Sequence, residues 1–328
     1  MNSFLKLSRK AICKAGLSGP LMRWSPSGPV ILLYHGVREN GAGDEFDRTG
    51  KHVEADRFRA QLELLQRHFR IVPLDDLVTR LLNGESGRGL LSITFDDGYV
   101  NNLEVAAPIL HRMGLPATFF LATGFIGTGR WLWNDQIEAA LGATRLDSVE
   151  LAELNGRVSL ASQPERAKAV AGVKRALKKR PWQEAAARVA EIAGLLGLAH
   201  DKPFGHYSFM DWEQARGLTR LGMDVGAHTV NHAILSRVPL EEATGEILES
   251  RDRIRTQLGA CSDIFCYPNG KQADYSPAVM DVCKQNFRAA LAAEPGAARG
   301  EDRYEIRRFA LDNFTSVKQL ASVVAQAA

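Results

Sequence analysis

The chain has 328 residues, of which 45% are hydrophobic and 24% are charged, as is typical of a soluble globular protein with one or two domains. Its net charge of +3 is small for this length, so the composition gives no electrostatic support for binding nucleic acid. Its four cysteines have no Cys-x-x-Cys spacing, which argues against a disulfide framework or a zinc knuckle.

Residues 1–28 are predicted to be a basic tail. Its apolar run, Ala11–Leu17, is interrupted by Lys14 and Gly16, so we do not expect a cleaved export signal. The sequence contains no uninterrupted apolar segment long enough to span a bilayer. These features predict a cytoplasmic protein. An alternative interpretation makes Met1–Trp24 a basic amphipathic segment that rests on a membrane surface, which would make the protein membrane-associated.

Residues 29–328 are predicted to form one α/β domain, in which short apolar strands alternate with helices. In chain order, the first predicted elements are a strand Pro29–Tyr34, a helix Glu54–His68, a short strand at Ile71–Val72, a strand Leu90–Phe95, a helix Asn101–Met113 and a strand Ala117–Ala122. This alternation predicts a parallel sheet, either open or closed into a barrel.

From about residue 136 to residue 205 the alternation stops. This segment is rich in Ala, Glu, Lys, Arg and Leu and contains no convincing strand, so we predict a helical insertion on one face of the sheet. The alternation then resumes with a helix Asp211–Leu221, a strand Asp224–Ala227, a helix Pro239–Leu258, a strand Ser262–Cys266, a helix Pro277–Gln285, strands Phe287–Ala292 and Tyr304–Phe309, and a helix Ser316–Ala327.

Two adjacent carboxylates, Asp96 and Asp97, directly follow one of these predicted strands. Two histidines, His228 and His232, follow another, and their spacing lets them converge on one ion if that segment forms a helical turn. One carboxylate and two imidazoles leave room for water on a metal ion, which is typical of a catalytic site. The second carboxylate is then available to transfer protons.

Other polar residues also follow predicted strands, namely His35, Pro268 and Asn269. Ligands of parallel sheets and barrels bind at the carboxyl ends of the strands, so this distribution predicts a single site. His35 has two interpretations that the sequence does not separate. It either caps the sheet, or it contacts the substrate or supports a metal ligand.

Three segments resemble the first three motifs of the NodB-homology polysaccharide deacetylases, carbohydrate esterase family four. These segments are Thr94–Tyr99 (TFDDGY), His228–His232 (HTVNH) and Phe265–Gly270 (FCYPNG). Two others, Ile31–Val37 and Met210–Glu213, resemble the flanking blocks of bacterial members. The resemblance implies a distorted (β/α) barrel, interrupted here by the helical insertion. It also implies hydrolysis of N-acetyl groups on a glycan, commonly on N-acetylglucosamine units.

The same resemblance implies one divalent metal ion, usually Zn²⁺, bound by Asp97, His228 and His232. Asp96 would be the general base, and the backbone N–H of Asn269 would donate to the oxyanion. This assignment is chemically reasonable, because an amide carbonyl is a poor electrophile and water is a poor nucleophile. A metal ion with three protein ligands assists both, and a fixed donor stabilises the charge that develops.

The chain departs from the family pattern at two positions. Many members carry an Arg two residues before the proline of the third motif, where it holds the base, and here that residue is Cys266. Arg307 or Arg308, on the last predicted strand, is a candidate for the missing positive charge. The last family motif often ends Leu-x-His, whose His is the general acid, but no histidine follows His232. One alternative is that Asp96 returns the proton that it takes.

The candidate substrate-binding residues are His35, Tyr267, Pro268 and Trp133. Aromatic rings stack on sugars, but Tyr267 and Trp133 are equally compatible with packing in the core.

Three functions stay open at this point. The first is N-deacetylation of a glycan in exopolysaccharide or cell-envelope polysaccharide biosynthesis. The second is a catalytically idle glycan-binding barrel that keeps the metal, and the third is an amidohydrolase that cleaves a non-glycan amide, since a barrel and a metal do not dictate a substrate. In the first two, the partner is a glycan, with possible membrane contact through the tail.

Overall fold

The computed structural model describes residues 28–41, 50–198, 202–301 and 303–320. The strands are β1 (Val30–Tyr34), β2 (Gly36–Arg38), β3 (His52–Glu54), β4 (Arg70–Ile71), β5 (Leu90–Phe95), β6 (Thr118–Leu121), β7 (Ser148–Leu151), β8 (Gly156–Ser159), β9 (Asp224–Ala227), β10 (Ile264–Cys266), β11 (Ala289–Leu291) and β12 (Phe309–Ala310). The helices are α1 (Ala55–His68), α2 (Leu74–Leu82), α3 (Ala107–Arg112), α4 (Trp133–Ala143), α5 (Gln163–Leu177), α6 (Trp182–Leu195), α7 (Trp212–Arg220), α8 (Leu240–Leu258) and α9 (Pro277–Asn286), and a π-helical turn (Asn102–Ala106) precedes α3.

Two predictions concern the ends of the chain. Residues 1–27 of the predicted basic tail lie outside the described residues, and so do residues 321–327 of the predicted last helix, whose residues 317–320 are helical. Among the described helices, none has both the length and the apolar character needed to cross a bilayer.

The described part of the chain is organised around one parallel sheet. Its strand order is β11-β10-β9-β6-β5-β1-β12, and β4 pairs with the first two residues of β5. Each neighbouring pair is parallel, with Tyr34 opposite Phe95 and Phe95 opposite Phe119. The sheet curls into a partial barrel surrounded by helices, so the predicted distorted (β/α) barrel is confirmed.

A short segment, residues 306–310, connects the two edges of this sheet. Ile306 forms a parallel bridge to Leu291 in β11, whereas Phe309 pairs with Leu32 in β1. The predicted continuous strand Tyr304–Phe309 is therefore wrong, because the segment changes its pairing partner between these two contacts. Arg308 lies between the two edges, on the segment that closes the barrel.

The strands of the sheet are apolar because both of their faces are covered. On the face that is covered by helices, the rings of Phe95 and Phe119 stack with their centroids 4.6 Å apart, and Tyr34 stacks on Phe95 at 5.4 Å. The amphipathic helix α1 adds Phe58 and Leu62, both fully buried, to the same core. This packing fixes β1, β5 and β6 relative to one another, and therefore also fixes the residues that follow them.

The insertion is not purely helical, which corrects the prediction for residues 136–205. Strands β7 and β8 form an antiparallel hairpin ahead of α5 and α6. Val149 and Leu151 are buried while their neighbours are not, which is the alternation of a half-buried strand. The turn contains Asn155 in the left-handed conformation, followed by Gly156. The hairpin and the helices α4, α5 and α6 share a hydrophobic cluster of their own.

Candidate metal centre

Neighbouring strands of the sheet bring the carboxylates and histidines together. The backbone N–H of Asp96 donates to Tyr34 O (2.9 Å), which continues the pairing of β5 with β1. Beyond β6, Ala122 N–H donates to Asp97 O (3.1 Å), and His228 N–H donates to Leu121 O (3.1 Å). The predicted residues therefore meet at the carboxyl ends of β5, β6 and β9.

The segment from His228 to His232 is a non-helical loop, so the two histidines converge without the helical turn that their spacing suggested as one route. Its residues Thr229 and His232 adopt φ angles of 64° and 54°, which turn the chain back on itself. The carboxylate of Glu246, in α8, accepts hydrogen bonds from the backbone N–H groups at residues 230 (3.0 Å) and 231 (2.7 Å). These contacts bring the two imidazoles to a ring separation of 5.0 Å.

The geometry of Asp97, His228 and His232 fits a bound metal ion. Asp97 Oδ1 lies 3.6 Å from His228 Nε2 and 3.3 Å from His232 Nε2, and the three ligand atoms lie within 4.8 Å of one another. This buried oxygen accepts no hydrogen bond from any described residue. His228 Nδ1 lies 2.8 Å from Cys266 O, which leaves Nε2 to face the centre. A ligand histidine fixed through its other nitrogen is a common feature of metal sites.

The backbone at this centre is unusual. Asp97 has a φ of 78°, Asn269 has a φ of 59°, and both are conformations that non-glycine residues rarely adopt. With Thr229 and His232, four of the five such residues in the described ranges belong to the predicted motifs. Strained backbone of this kind persists where the surroundings over-determine it, and it is common at functional sites.

Asp96 is held by a fully buried arginine, Arg308. The two Nη atoms of Arg308 donate to the two carboxylate oxygens of Asp96, each at 2.8 Å. Arg308 also donates to Thr94 Oγ1 from Nη1 (3.1 Å) and to Ala292 O from Nε (3.1 Å). Burial raises the pKa of Asp96, but the charge and hydrogen bonds of Arg308, together with the charges of the nearby histidines, outweigh burial, so the pKa lies below the ordinary value. Asp96 is therefore an ionised, fixed carboxylate.

Cys266 fills the space beside this ion pair. Its Sγ lies 3.4 Å from Asp96 Oδ2 and accepts a hydrogen bond from Arg308 Nη2 (3.0 Å). Burial raises the pKa of Cys266 well above its ordinary value, so it is a neutral thiol. Of the two arginines proposed from the sequence, the structure places Arg308 against Asp96.

Other predicted site residues differ in their surroundings. His35 directly follows β1 and is partly exposed, and burial lowers its pKa below the ordinary value although the charge of Asp97 opposes this shift. Asn269 is partly exposed, and its N–H donates no backbone hydrogen bond within the described ranges. Pro268 is buried beside it. The ring of Tyr267 stacks on Tyr275 at 4.1 Å and is almost completely buried.

Trp133 lies at the first position of α4 and is buried in the hydrophobic cluster of the insertion. The structure therefore assigns both Trp133 and Tyr267 to core packing. The interpretation of these aromatic side chains as a surface for a sugar is not supported by their burial.

Sequence reasoning did not identify a group of residues on the other side of Asp97. Lys51 Nζ lies 3.3 Å from Asp97 Oδ2, 2.6 Å from the Tyr99 hydroxyl and 2.9 Å from Asp135 Oδ1. Tyr99 belongs to the first motif, so its position next to the carboxylates was visible in the sequence. Lys51 and Asp135 come from distant parts of the chain, and no local sequence pattern indicates that they lie at the site. The same is true of Glu246, which holds the loop from His228 to His232.

The chain is similar to known proteins in its sequence and in its fold. A sequence model of the family described as polysaccharide deacetylase matches residues 83–286, which is more than half of the chain. A curated relative, the putative polysaccharide deacetylase YxkH of Bacillus subtilis (strain 168), is 26% identical over 147 residues. That alignment covers 43% of this chain and 50% of YxkH, so the chain matches about half the length of this relative.

Two solved structures show the same fold. The Streptococcus pyogenes deacetylase PplD, in complex with acetate, aligns with a TM-score of 0.59 and 18% identity, over 91% of this chain and 99% of PplD. IcaB from Ammonifex degensii aligns with a TM-score of 0.59 and 16% identity, over 91% of this chain and 97% of IcaB. Together with the match of the family model to residues 83–286, they lead to one conclusion: the chain belongs to the polysaccharide deacetylase family.

Proposed function

We propose that this protein is a metal-dependent N-deacetylase that acts on a glycan containing N-acetylglucosamine-type units. One observation carries the proposal. Oδ1 of Asp97 accepts no hydrogen bond from a described residue and faces two imidazole nitrogens, while both oxygens of the neighbouring carboxylate, Asp96, are bonded to Arg308. One carboxylate is thus available to bind a cation and the other to accept a proton.

Asp97, His228 and His232 would hold the ion, which we propose to be Zn²⁺. When bound, such an ion polarises the carbonyl of the acetyl group and makes water more acidic. Asp96 Oδ2 lies 4.0 Å from His228 Nε2, so the base lies close to the ligands. Arg308 keeps Asp96 ionised and ready to accept a proton from the attacking water. The N–H of Asn269 would donate to the oxyanion of the tetrahedral intermediate.

The proposal is tested by acetate release. We expect the purified protein to release acetate from N-acetylglucosamine oligomers, to lose this activity after treatment with a chelator, and to regain it with added Zn²⁺. Metal analysis of the same preparation would report one divalent ion per chain. Metal binding without acetate release would favour an idle glycan-binding barrel, and cleavage of small cyclic amides alone would favour an amidohydrolase with another substrate.

His35 is the proposed donor of the proton that the leaving amine needs. It lies at the end of β1, beside the strand that carries Asp96, and its ring is partly exposed, unlike those of its buried neighbours. Replacing His35 with Gln is expected to lower kcat for acetate release by about a hundredfold or more, since general acid catalysis contributes on this scale. KM and Zn²⁺ affinity should change little. If kcat is unchanged, Asp96 returns the proton itself.

We further propose that the protein works in the cytoplasm, at the membrane surface, in exopolysaccharide or cell-envelope polysaccharide biosynthesis. The basic residues of the N-terminal tail support this proposal. Flotation with anionic vesicles, compared with neutral vesicles, tests the membrane contact directly.

A further inference from the structure

A buried lysine approaches the metal-binding carboxylate from the side opposite to the histidines. Lys51 Nζ donates to Asp97 Oδ2, to the hydroxyl of Tyr99 and to Asp135 Oδ1, at distances of 3.3, 2.6 and 2.9 Å. The Tyr99 hydroxyl in turn donates to Asp135 Oδ2 at 2.5 Å. Tyr99 and Asp135 are completely buried, and the side chain of Lys51 is 11% exposed.

The ammonium group of Lys51 matches the number and the charge of the oxygen atoms around it. An ammonium group has three protons to donate, and three oxygen atoms lie within hydrogen-bonding distance of Lys51 Nζ. Burial lowers the pKa of Lys51, but the carboxylates of Asp135 and Asp97 raise it by more, so that its pKa lies above the ordinary value. Asp135 comes from the first turn of α4, which packs with the insertion, so this part of the chain supplies a charge to the site at the carboxyl ends of the strands.

The two oxygens of Asp97 therefore have different surroundings. Oδ2 is bonded to Lys51, whereas Oδ1 accepts no hydrogen bond from a described residue and faces the imidazoles. A hydrogen bond from an ammonium group to the second oxygen of a carboxylate takes up one of its lone pairs and places a positive charge beside it, which disfavours binding of a cation through both oxygens. This matters because a catalytic ion must keep positions open for water and substrate, and a two-oxygen ligand would fill one of them.

We infer that Lys51 is a positioning residue that makes Asp97 a one-oxygen metal ligand, and that Asp135 is the counter-charge that holds Lys51 there. The inference rests on the proposed metal-dependent function. It has an electrostatic consequence, since the ammonium next to Asp97 opposes a second cation and the carboxylate of Asp135 offsets that repulsion. Lys51 would thus lower the affinity of the site for the metal ion and keep positions on the ion open for water and substrate.

The two charges can be removed separately, and the inference predicts effects of opposite sign. Lys51→Met removes a positive charge, so Zn²⁺ should bind about tenfold more tightly, or more, while kcat falls by at least about tenfold. Asp135→Asn removes a negative charge and should weaken Zn²⁺ binding by about tenfold. Since the two residues are in contact, their effects should offset each other in the double variant, returning the affinity close to that of the wild type.

Affinity is measured on metal-stripped protein, by competition for Zn²⁺ with a chromophoric chelator, so the readout does not depend on activity. The absorption of the Co²⁺-loaded proteins gives a second readout, because its intensity falls when the coordination number increases. Lys51→Met should lower that intensity. The matched control is Lys284→Met, in which the same substitution removes an exposed lysine that pairs with Asp281 on α9.

The outcomes separate the inference from the function on which it rests. If wild-type protein binds no divalent ion, the proposed function fails. If the wild type binds Zn²⁺ but Lys51→Met weakens the binding or leaves it unchanged, the inference is overturned. If Lys51→Met does not fold, the isosteric Asp135→Asn variant tests the inference instead. Zn²⁺ binding to this variant that is unchanged or tighter than in the wild type would overturn the inference.

Discussion

Replacing Asp96 with Asn is expected to lower acetate release by about a hundredfold to ten-thousandfold, the range typical of the loss of a general base. The amide has nearly the same shape as the carboxylate but cannot accept the proton of the attacking water. It also removes a negative charge near His228, so Zn²⁺ should bind somewhat more weakly. The rate is therefore measured at saturating Zn²⁺, with metal content determined on the same sample.

The matched control for this variant is Cys266→Ser, which changes another side chain in contact with Asp96 and leaves the charges in place. Its rate should stay within a few-fold of the wild type. Wild-type acetate release by the Asp96→Asn protein, at a normal metal content, would remove Asp96 from the role of the base.

Replacing Arg308 with Met is expected to destabilise the fold by about 3–5 kcal/mol, because it leaves the buried carboxylate of Asp96 without its partner. The loss should appear in urea unfolding as a lower midpoint with a similar slope. The remaining folded protein should also lose activity, since the pKa of an unpaired, buried Asp96 rises and its orientation is no longer fixed. A stability change below 1 kcal/mol would contradict this account of the ion pair.

A second variant moves the positive charge to the position where many family members carry it. Combining Cys266→Arg with Arg308→Ser should restore more acetate release than Arg308→Ser retains alone, because both positions lie against Asp96. Equal activity in the single and double variants would show that a guanidinium on β10 does not replace one on the closing segment.

Much of the site was predictable because its residues follow apolar strands, and the carboxyl ends of parallel strands meet at one edge. The course of the chain from His228 to His232 was not predictable, because it depends on positive φ angles at Thr229 and His232, which spacing does not reveal. The role of Lys51 was equally hidden. Its partner Asp135 is 84 residues away in sequence, and only the packed insertion brings the two together.

Other differences have local causes. The hairpin of β7 and β8 was missed although Asn155-Gly156 is a strong turn signal, since the alanine- and charge-rich composition around it favours helix. The choice between Arg307 and Arg308 depends on which way each side chain points. That direction is set by the change of pairing partner between Ile306 and Phe309, which no sequence period encodes.

The closing segment, residues 306–310, also sets an order of events during synthesis. A nascent chain that has just passed residue 291 already contains every proposed metal ligand, the proposed base and the edge strand β11. It still lacks the segment that joins the two edges of the sheet, and with it the guanidinium that holds Asp96. Catalytic competence would therefore arise only when the last part of the polypeptide docks, so that a truncated product capable of capturing zinc would remain unable to hydrolyse its substrate.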